Sequence, residues 1–270
     1  MLFGKDNRMY EFEFEKPATI GEAVAALADE DAQALGGGQT LIPTLKQRLA
    51  MPSKLVSLTG IEGMKGVSGG DGMLSIGGAT THAEVAEAAA DAYPALAALA
   101  GQIGDPAVRN RGTIGGSLAN NDPAACYPAA ALGSGATIMT NRREITADDY
   151  FRGLFETALE DGEIITAVRF PVPQKASYQK FLQPASRFAL VGVFAAKYAA
   201  GVRVAVTGAS EEGVFRWNEA EAALDADFAP EALDGLSVDA GGMMADLHGS
   251  KAYRAHLVGV MAKRAVAAAA

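Results

Sequence analysis

One cysteine, Cys126, stands in a chain of 270 residues. A single thiol forms no internal disulfide and holds neither an iron–sulfur cluster nor a cysteine-rich zinc site. Histidine is nearly as scarce. His82, His248 and His256 are scattered without ligand spacing, so no metal site is expected, and Cys126 has no histidine near it in sequence to make it a nucleophile. Any redox metal is therefore expected in another chain. The lone tryptophan, Trp217, is expected to pack in a core. Basic charge is also short: 23 Lys and Arg against 32 Asp and Glu give a net charge of −9. That balance argues against nucleic acid or an anionic membrane as the main partner. No run approaches the roughly 20 apolar residues of a membrane span. The start, Met1 to Asp6, lacks the basic and apolar parts of a signal peptide, so a cytoplasmic location is expected.

Glycine, by contrast, is plentiful and concentrated where it can act. Gly36-Gly37-Gly38-Gln39-Thr40 and Gly112-Thr113-Ile114-Gly115-Gly116-Ser117 each offer a run of backbone N–H groups followed by hydroxyl or amide residues. Such runs hold phosphate without lysines. Neither matches the dinucleotide fingerprint or a P-loop. A bare glycine triplet after a strand is by itself a turn; the helix start after Gln39 and Thr40 adds N–H donors at a positive dipole end. Thr113, Ser117, Asn120 and Asn121 repeat that grammar, and two such loops predict a ligand with two phosphates. Asp122 before Pro123 reads equally as a turn cap and as a ligand contact.

Around these loops the chain reads as alternating elements. Met9 to Phe14 alternates like a strand. Thr19 with Glu22 predicts a capped helix to about Ala28, Gln33 to Leu35 a strand, Leu41 to Arg48 a helix start, and Lys54 to Leu58 another strand. Residues 10–58 thus predict a small β-α-β-α-β unit. A second unit begins at Leu74. There Thr81 and Glu84 form a capping box, which places His82 at a surface or loop, and Tyr93 to Gly101 adds a helix. Ala129 to Leu132 predicts a short helix; Ala136 to Thr140 and Ile164 to Phe170 predict strands. Pro171-Val172-Pro173 marks the clearest boundary. Beyond it, strands at Ala189 to Ala199 and Val202 to Ala209, with helices at Glu219 to Leu224 and Tyr253 to Ala269, predict a small α+β domain.

Gly36 through Thr40 resembles the Ala-Gly-Gly-x-Ser loop of the FAD-binding medium subunits of molybdenum hydroxylases. That family includes the medium chain of aerobic carbon monoxide dehydrogenase and the flavin domain of xanthine dehydrogenase. Ile103 through Ala119, with Arg109-Asn110-Arg111-Gly112-Thr113-Ile114-Gly115-Gly116-Ser117 at its centre, is similar to the family's second loop almost residue for residue. Tyr178 to Phe181 with Pro184 to Ala189 resembles its post-linker segment, and Asp246 to Ser250 with Tyr253-Arg254 its C-terminal helix region. The likeness runs in order along essentially the whole chain.

The resemblance implies an α+β fold of the vanillyl-alcohol-oxidase (PCMH) type. It has two α/β subdomains, about 1–59 and 60–174, that hold FAD between them, and a C-terminal α+β domain at 175–270. It further implies that Gly36, Gly37, Gly38, Gln39, Thr40, Thr113, Ile114, Gly115, Gly116 and Ser117 lie along the FAD pyrophosphate. Asn120 and Asp122 match positions near the ribityl–phosphate portion, Ile165 an apolar contact, and Lys180 a basic residue reaching the cofactor. Gly36 and Thr40 replace the usual Ala and Ser, which keeps the cradle and a hydroxyl. Cys126 and Phe188 replace an acidic residue and a tyrosine, so those two contacts do not carry over.

In function, the resemblance implies an electron-transfer flavoprotein subunit, part of an oxidoreductase. Its partners would be a small subunit with two [2Fe–2S] clusters and a large subunit with the molybdenum cofactor, assembled as a dimer of heterotrimers. The chain's own residues supply no acid–base pair or nucleophile, so no catalytic residue is expected in it. Two alternatives stand beside this: a free-standing FAD-dependent oxidase of the same fold, and a non-catalytic nucleotide-binding regulatory module.

Overall fold

A computed structural model describes residues 9–269. The start read for leader features lies outside them. Strands Glu13–Glu15, Lys54–Ser57 and Ala32–Leu35 form, in that order, a parallel sheet. Between them run the helices Ile20–Ala26 and Leu41–Lys46. This is the β-α-β-α-β unit expected of residues 10–58. The Thr19 hydroxyl caps the first helix by accepting from Glu22 N at 3.2 Å. The Glu22 carboxylate turns back to Ala18 N at 2.8 Å, one residue before the cap, so the predicted box closes slightly early.

The second sheet has five strands in the order Val67–Gly70, Met73–Gly77, Ile165–Pro171, Thr137–Thr140 and Glu144–Thr146. It is antiparallel throughout. Its hairpins were not legible as such, because Val67 to Gly70 is glycine-rich and Glu144 to Thr146 only three residues long. Helices His82–Ala88, Pro94–Gly101, Ile114–Asn120 and Tyr127–Ser134 cover it and enclose a core of Ile76, Leu96, Leu118, Ile138 and Phe170. The capping box is as expected, with Glu84 N donating to Thr81 Oγ1 and Thr81 N donating to Glu84 Oε2.

Strands Lys175–Leu182, Ala189–Tyr198, Gly201–Ser210 and Gly213–Arg216 form an antiparallel meander. The second strand is buried along its first eight residues and alternates between two cores. Val191, Val193 and Ala195 face the helices Asn218–Ala226 and Lys251–Ala268, where Trp217 is also buried. Phe194 and Ala196 face the opposite way, into the same core as Tyr93 and Phe170. A strand with both faces covered reads as a continuous apolar run, which is why Ala189 to Ala199 was conspicuous in the sequence.

Candidate functional site

The two glycine loops meet at one cleft of about 600 Å³. Their contact is backbone on backbone. A Cβ on Gly37 would lie 1.9 Å from Arg111 O and 2.5 Å from Gly112 Cα, and one on Gly36 would lie 2.9 Å from Thr113 Oγ1. The Gly37 distances are to backbone and shorter than any Cβ tolerates, so Gly37 is needed for the loops to touch, whereas at Gly36 the close atom is a side-chain hydroxyl. Gly38 adds a left-handed turn, φ 72°, that delivers the chain into the helix Leu41–Lys46.

The loops are not equivalent in the donors they leave free, which corrects the expectation of two matched amide cradles. Among the described residues, the N–H groups of Gly36, Gly37, Gly38, Gln39 and Thr40 donate to no protein acceptor. In the second loop, Thr113 apart, the amides are already engaged. Ile114 N donates to Thr80 O, Gly115 N to Gly78 O at 2.9 Å, Gly116 N to Thr113 Oγ1 at 3.1 Å, and Ser117 N to Thr113 O. The cause is the close seating of this helix start on the edge residues Gly78 to Thr80. A Cβ on Gly115 would sit 2.5 Å from Gly78 O, so Gly115 is explained by packing. From this stretch Gly112, Thr113, Gly115, Gly116, Ser117 and Asn120 line the cleft, with the Ser117 hydroxyl and the Asn120 amide as polar side chains.

Of the residues singled out in the sequence, Gly36, Gly37, Gly38, Gln39, Thr40, Thr113, Gly115, Gly116, Ser117, Asn120, Asp122 and Ile165 line the cleft. Asp122 caps the turn, its Oδ1 accepting from Ala124 N at 2.8 Å, and lies in the wall. Three residues are elsewhere. Asn121 is buried, and its side-chain amide donates to Gly153 O at 2.8 Å and Glu156 O at 2.9 Å. Ile114 is fully buried in the core beneath the loop. Lys180 does not line the cleft; it is buried, and its ammonium donates to Gln102 O at 2.8 Å, Arg187 O at 2.9 Å and Cys126 Sγ at 3.6 Å. An ammonium with all three donors engaged by the protein has none left for a ligand. Cys126 is buried beside the wall residue Ala125.

His82, expected at the surface, is buried at 4 % exposure and lines the cleft. Gly112 makes the room, since a Cβ there would lie 2.6 Å from His82 Nε2. Burial, and then the nearby positive charge of Arg109, push the imidazole down to about 4, so it is neutral at physiological pH. Its Nδ1 has no hydrogen-bond partner among the described residues.

Glu163 was missed altogether. It lines the cleft, next in sequence to the lining residues Ile164 and Ile165. Arg143, the N–H of Glu160 and the Thr140 hydroxyl donate to its carboxylate, and Arg143 first of all holds it down at about 2, against the opposing effect of burial. Ile164 is fixed at both backbone groups: its N–H donates to Asn141 Oδ1 at 2.8 Å, and its carbonyl accepts from Asn141 N at 3.1 Å. Nothing local marks these residues, since their partners lie about 20 positions upstream.

The cleft therefore combines five unengaged amides at one loop, hydroxyl and amide side chains at the other, and the apolar wall residues Leu35, Leu58, Leu159, Ile164 and Ile165. Free N–H groups without lysine or arginine in the walls suit a diphosphate, and the apolar wall residues suit an aromatic ring. Among the described residues no cluster of three or more His, Cys, Asp or Glu is arranged to hold a metal ion, and no helix is long and apolar enough to cross a membrane.

Comparison with known proteins gives a concordant result. A family model described as the FAD binding domain in molybdopterin dehydrogenase matches residues 10–173. The nicotine 6-hydroxylase medium subunit of Paenarthrobacter nicotinovorans is 34% identical over 271 residues, covering 94% of this chain and 95% of that one. The carbon monoxide dehydrogenase medium chain of Afipia carboxidovorans is 33% identical, with 94% and 95% covered. Among solved structures, quinoline 2-oxidoreductase from Pseudomonas putida 86 superposes with a TM-score of 0.85 at 30% identity, covering 96% of this chain and 97% of the other. Carbon monoxide dehydrogenase from Hydrogenophaga pseudoflava gives 0.86 at 31% identity, with 97% and 98% covered.

Proposed function

Because this chain belongs to the family of FAD-binding domains in molybdopterin dehydrogenases, we propose that it is the FAD-bearing electron-transfer subunit of a heteromeric molybdenum hydroxylase. It is an oxidoreductase subunit of the medium-chain type, and its relatives are named as medium chains or subunits of multi-subunit dehydrogenases. In this reading a small subunit with [2Fe–2S] clusters delivers electrons that leave a molybdenum site in a large subunit, and this chain passes them to a final acceptor. A dimer of such heterotrimers, a cytoplasmic location and a domain boundary near residue 174 complete the proposal.

One observation carries it: one cleft is lined both by five free amides and by apolar side chains. Bound FAD supplies the redox chemistry, and the protein supplies its place and surroundings. The amides of Gly36 to Thr40 would hold the pyrophosphate. Ser117, Asn120 and Asp122 would contact the phosphate and ribityl portion, and Ile164 and Ile165 would pack on a ring. His82, neutral and buried, adds no positive charge to that surface.

The purified chain titrated with FAD provides the test. A yellow protein retaining close to one FAD per chain, and co-expression yielding a stable complex with an iron–sulfur and a molybdenum subunit, is the expected result. A chain that binds no FAD refutes the reading. A chain whose flavin is reduced by substrate in isolation favours the free-standing oxidase.

A further inference from the structure

The C-terminal sheet contributes no residue to the lining of the cleft, yet it grips the segment that forms one wall. That segment, Asp122 to Cys126, links the helix Ile114–Asn120 to the helix Tyr127–Ser134 and brings Asp122 and Ala125 to the cleft. The Thr207 hydroxyl, fully buried, lies within hydrogen-bonding distance of two of its carbonyls, Pro123 O at 2.9 Å and Ala125 O at 2.8 Å. The next residue, Gly208, donates its N–H to Pro123 O at 2.8 Å. Lys180 reaches the end of the same segment at Cys126 Sγ.

The far side of this clamp is anchored as firmly. Gly208 is held at φ 81°, and a Cβ there would meet Ala189 O at 2.4 Å, so only glycine fits at this position. Its carbonyl accepts from Arg254 at 2.6 Å, and the same guanidinium nitrogen donates to Leu190 O at 2.7 Å. The other terminal nitrogen of Arg254 pairs with Asp246 at 2.7 Å. A continuous run of hydrogen bonds thus leads from Asp246 through Arg254, Gly208 and Pro123 to the cleft wall. The Thr207 hydroxyl shares its one proton between the two carbonyls, and with the Gly208 N–H it adds a hold from outside to the turn's own Asp122 cap and Ala125 N–H to Asp122 O bond.

We propose that Thr207 is a positioning residue for the Asp122–Ala125 wall, so that the C-terminal domain sets how tightly the cleft holds its cofactor and in what orientation. Lys180 acts in the same way at Cys126, one step removed from the contact first expected of it. The inference rests on the FAD reading of the cleft, and concerns residues that do not touch FAD.

The test uses the full chain with Thr207→Val, which removes the hydroxyl at nearly constant size, and Thr207→Ser, which restores it. FAD affinity is read by quenching of flavin fluorescence, and orientation by visible circular dichroism of the bound flavin. Thr207→Val is expected to weaken FAD about tenfold, the equivalent of roughly 1.4 kcal/mol, and to alter the visible dichroism, while Thr207→Ser returns both to wild type. Should the extra methyl of valine prevent folding, Thr207→Ala removes the hydroxyl without adding bulk and is expected to behave alike. Wild-type affinity and wild-type dichroism in a folded Val or Ala variant overturn the inference and leave the FAD reading intact. A wild-type chain that binds no FAD overturns both.

Discussion

Arg143 grips Glu163 with two parallel hydrogen bonds, Nε to Oε1 and a terminal nitrogen to Oε2, each 3.0 Å long. The carboxylate side chain is out of solvent and the guanidinium 43% exposed. Because the folded carboxyl is held at about 2 against an ordinary 4.5, its contribution is complete above pH 4.5 and is lost as pH falls toward 2. Glu163→Gln is therefore expected to cost about 1–2 kcal/mol at pH 7, a figure kept low for the exposed arginine. Urea unfolding at pH 7, 5 and 3 should show the gap to wild type narrowing at the lowest pH. A constant gap would mean that the charge has no part in it.

His82 titrates in a different window. Its folded value of about 4 lies below the ordinary 6.5, so between those limits the unfolded chain takes up the proton more readily. Its contribution to stability is full above pH 6.5, declines as pH falls, and levels off near pH 4. His82→Gln, which cannot charge, should lower the slope of unfolding free energy against pH in that interval, by at most about 1.4 kcal/mol per pH unit. Parallel curves for the two proteins would contradict the buried neutral imidazole.

The loop contact makes the two glycine sites unequal. Gly37→Ala places a methyl 1.9 Å from Arg111 O, against backbone that cannot rotate away, whereas Gly116→Ala meets only the Thr113 hydroxyl at 2.9 Å. Gly37→Ala is expected to destabilise by about 1–3 kcal/mol and to abolish flavin retention. Gly116→Ala is expected to fold with a melting temperature near wild type. Thermal melts and absorbance at the flavin bands check both, and equal behaviour of the pair would show that the loops can separate at little cost.

Much of this arrangement was legible because its causes are local. The Thr81–Glu84 box and the Thr19 cap involve residues three apart, and the strand at Ala189 is an apolar run of sufficient length to identify itself. The glycine loops were recognisable as one site, since backbone without side chains is written directly in the sequence. Their division of labour was not. Whether Gly115 N–H is free depends on Gly78, 37 positions upstream, arriving within 2.9 Å. The burial of His82 depends on the missing side chain of Gly112, and the retreat of Lys180 on Gln102 and Arg187. Each is a tertiary contact with no short-range pattern, so neither the capping box around His82 nor the resemblance around Lys180 could indicate where those side chains lie.

The shared core has a consequence for how this protein can be taken apart. Tyr93 sits edge-on to Phe170 from the second sheet and to Phe194 from the third, with ring centroids 6.5 and 6.3 Å away. The proline boundary at Pro171 to Pro173 looks like a hinge between modules, yet severing the chain there would strip Tyr93, Tyr127 and Ala129 of the surface that covers them. The N-terminal half would aggregate as a fragment, and a C-terminal half transplanted from a relative would need these aromatic neighbours to travel with it.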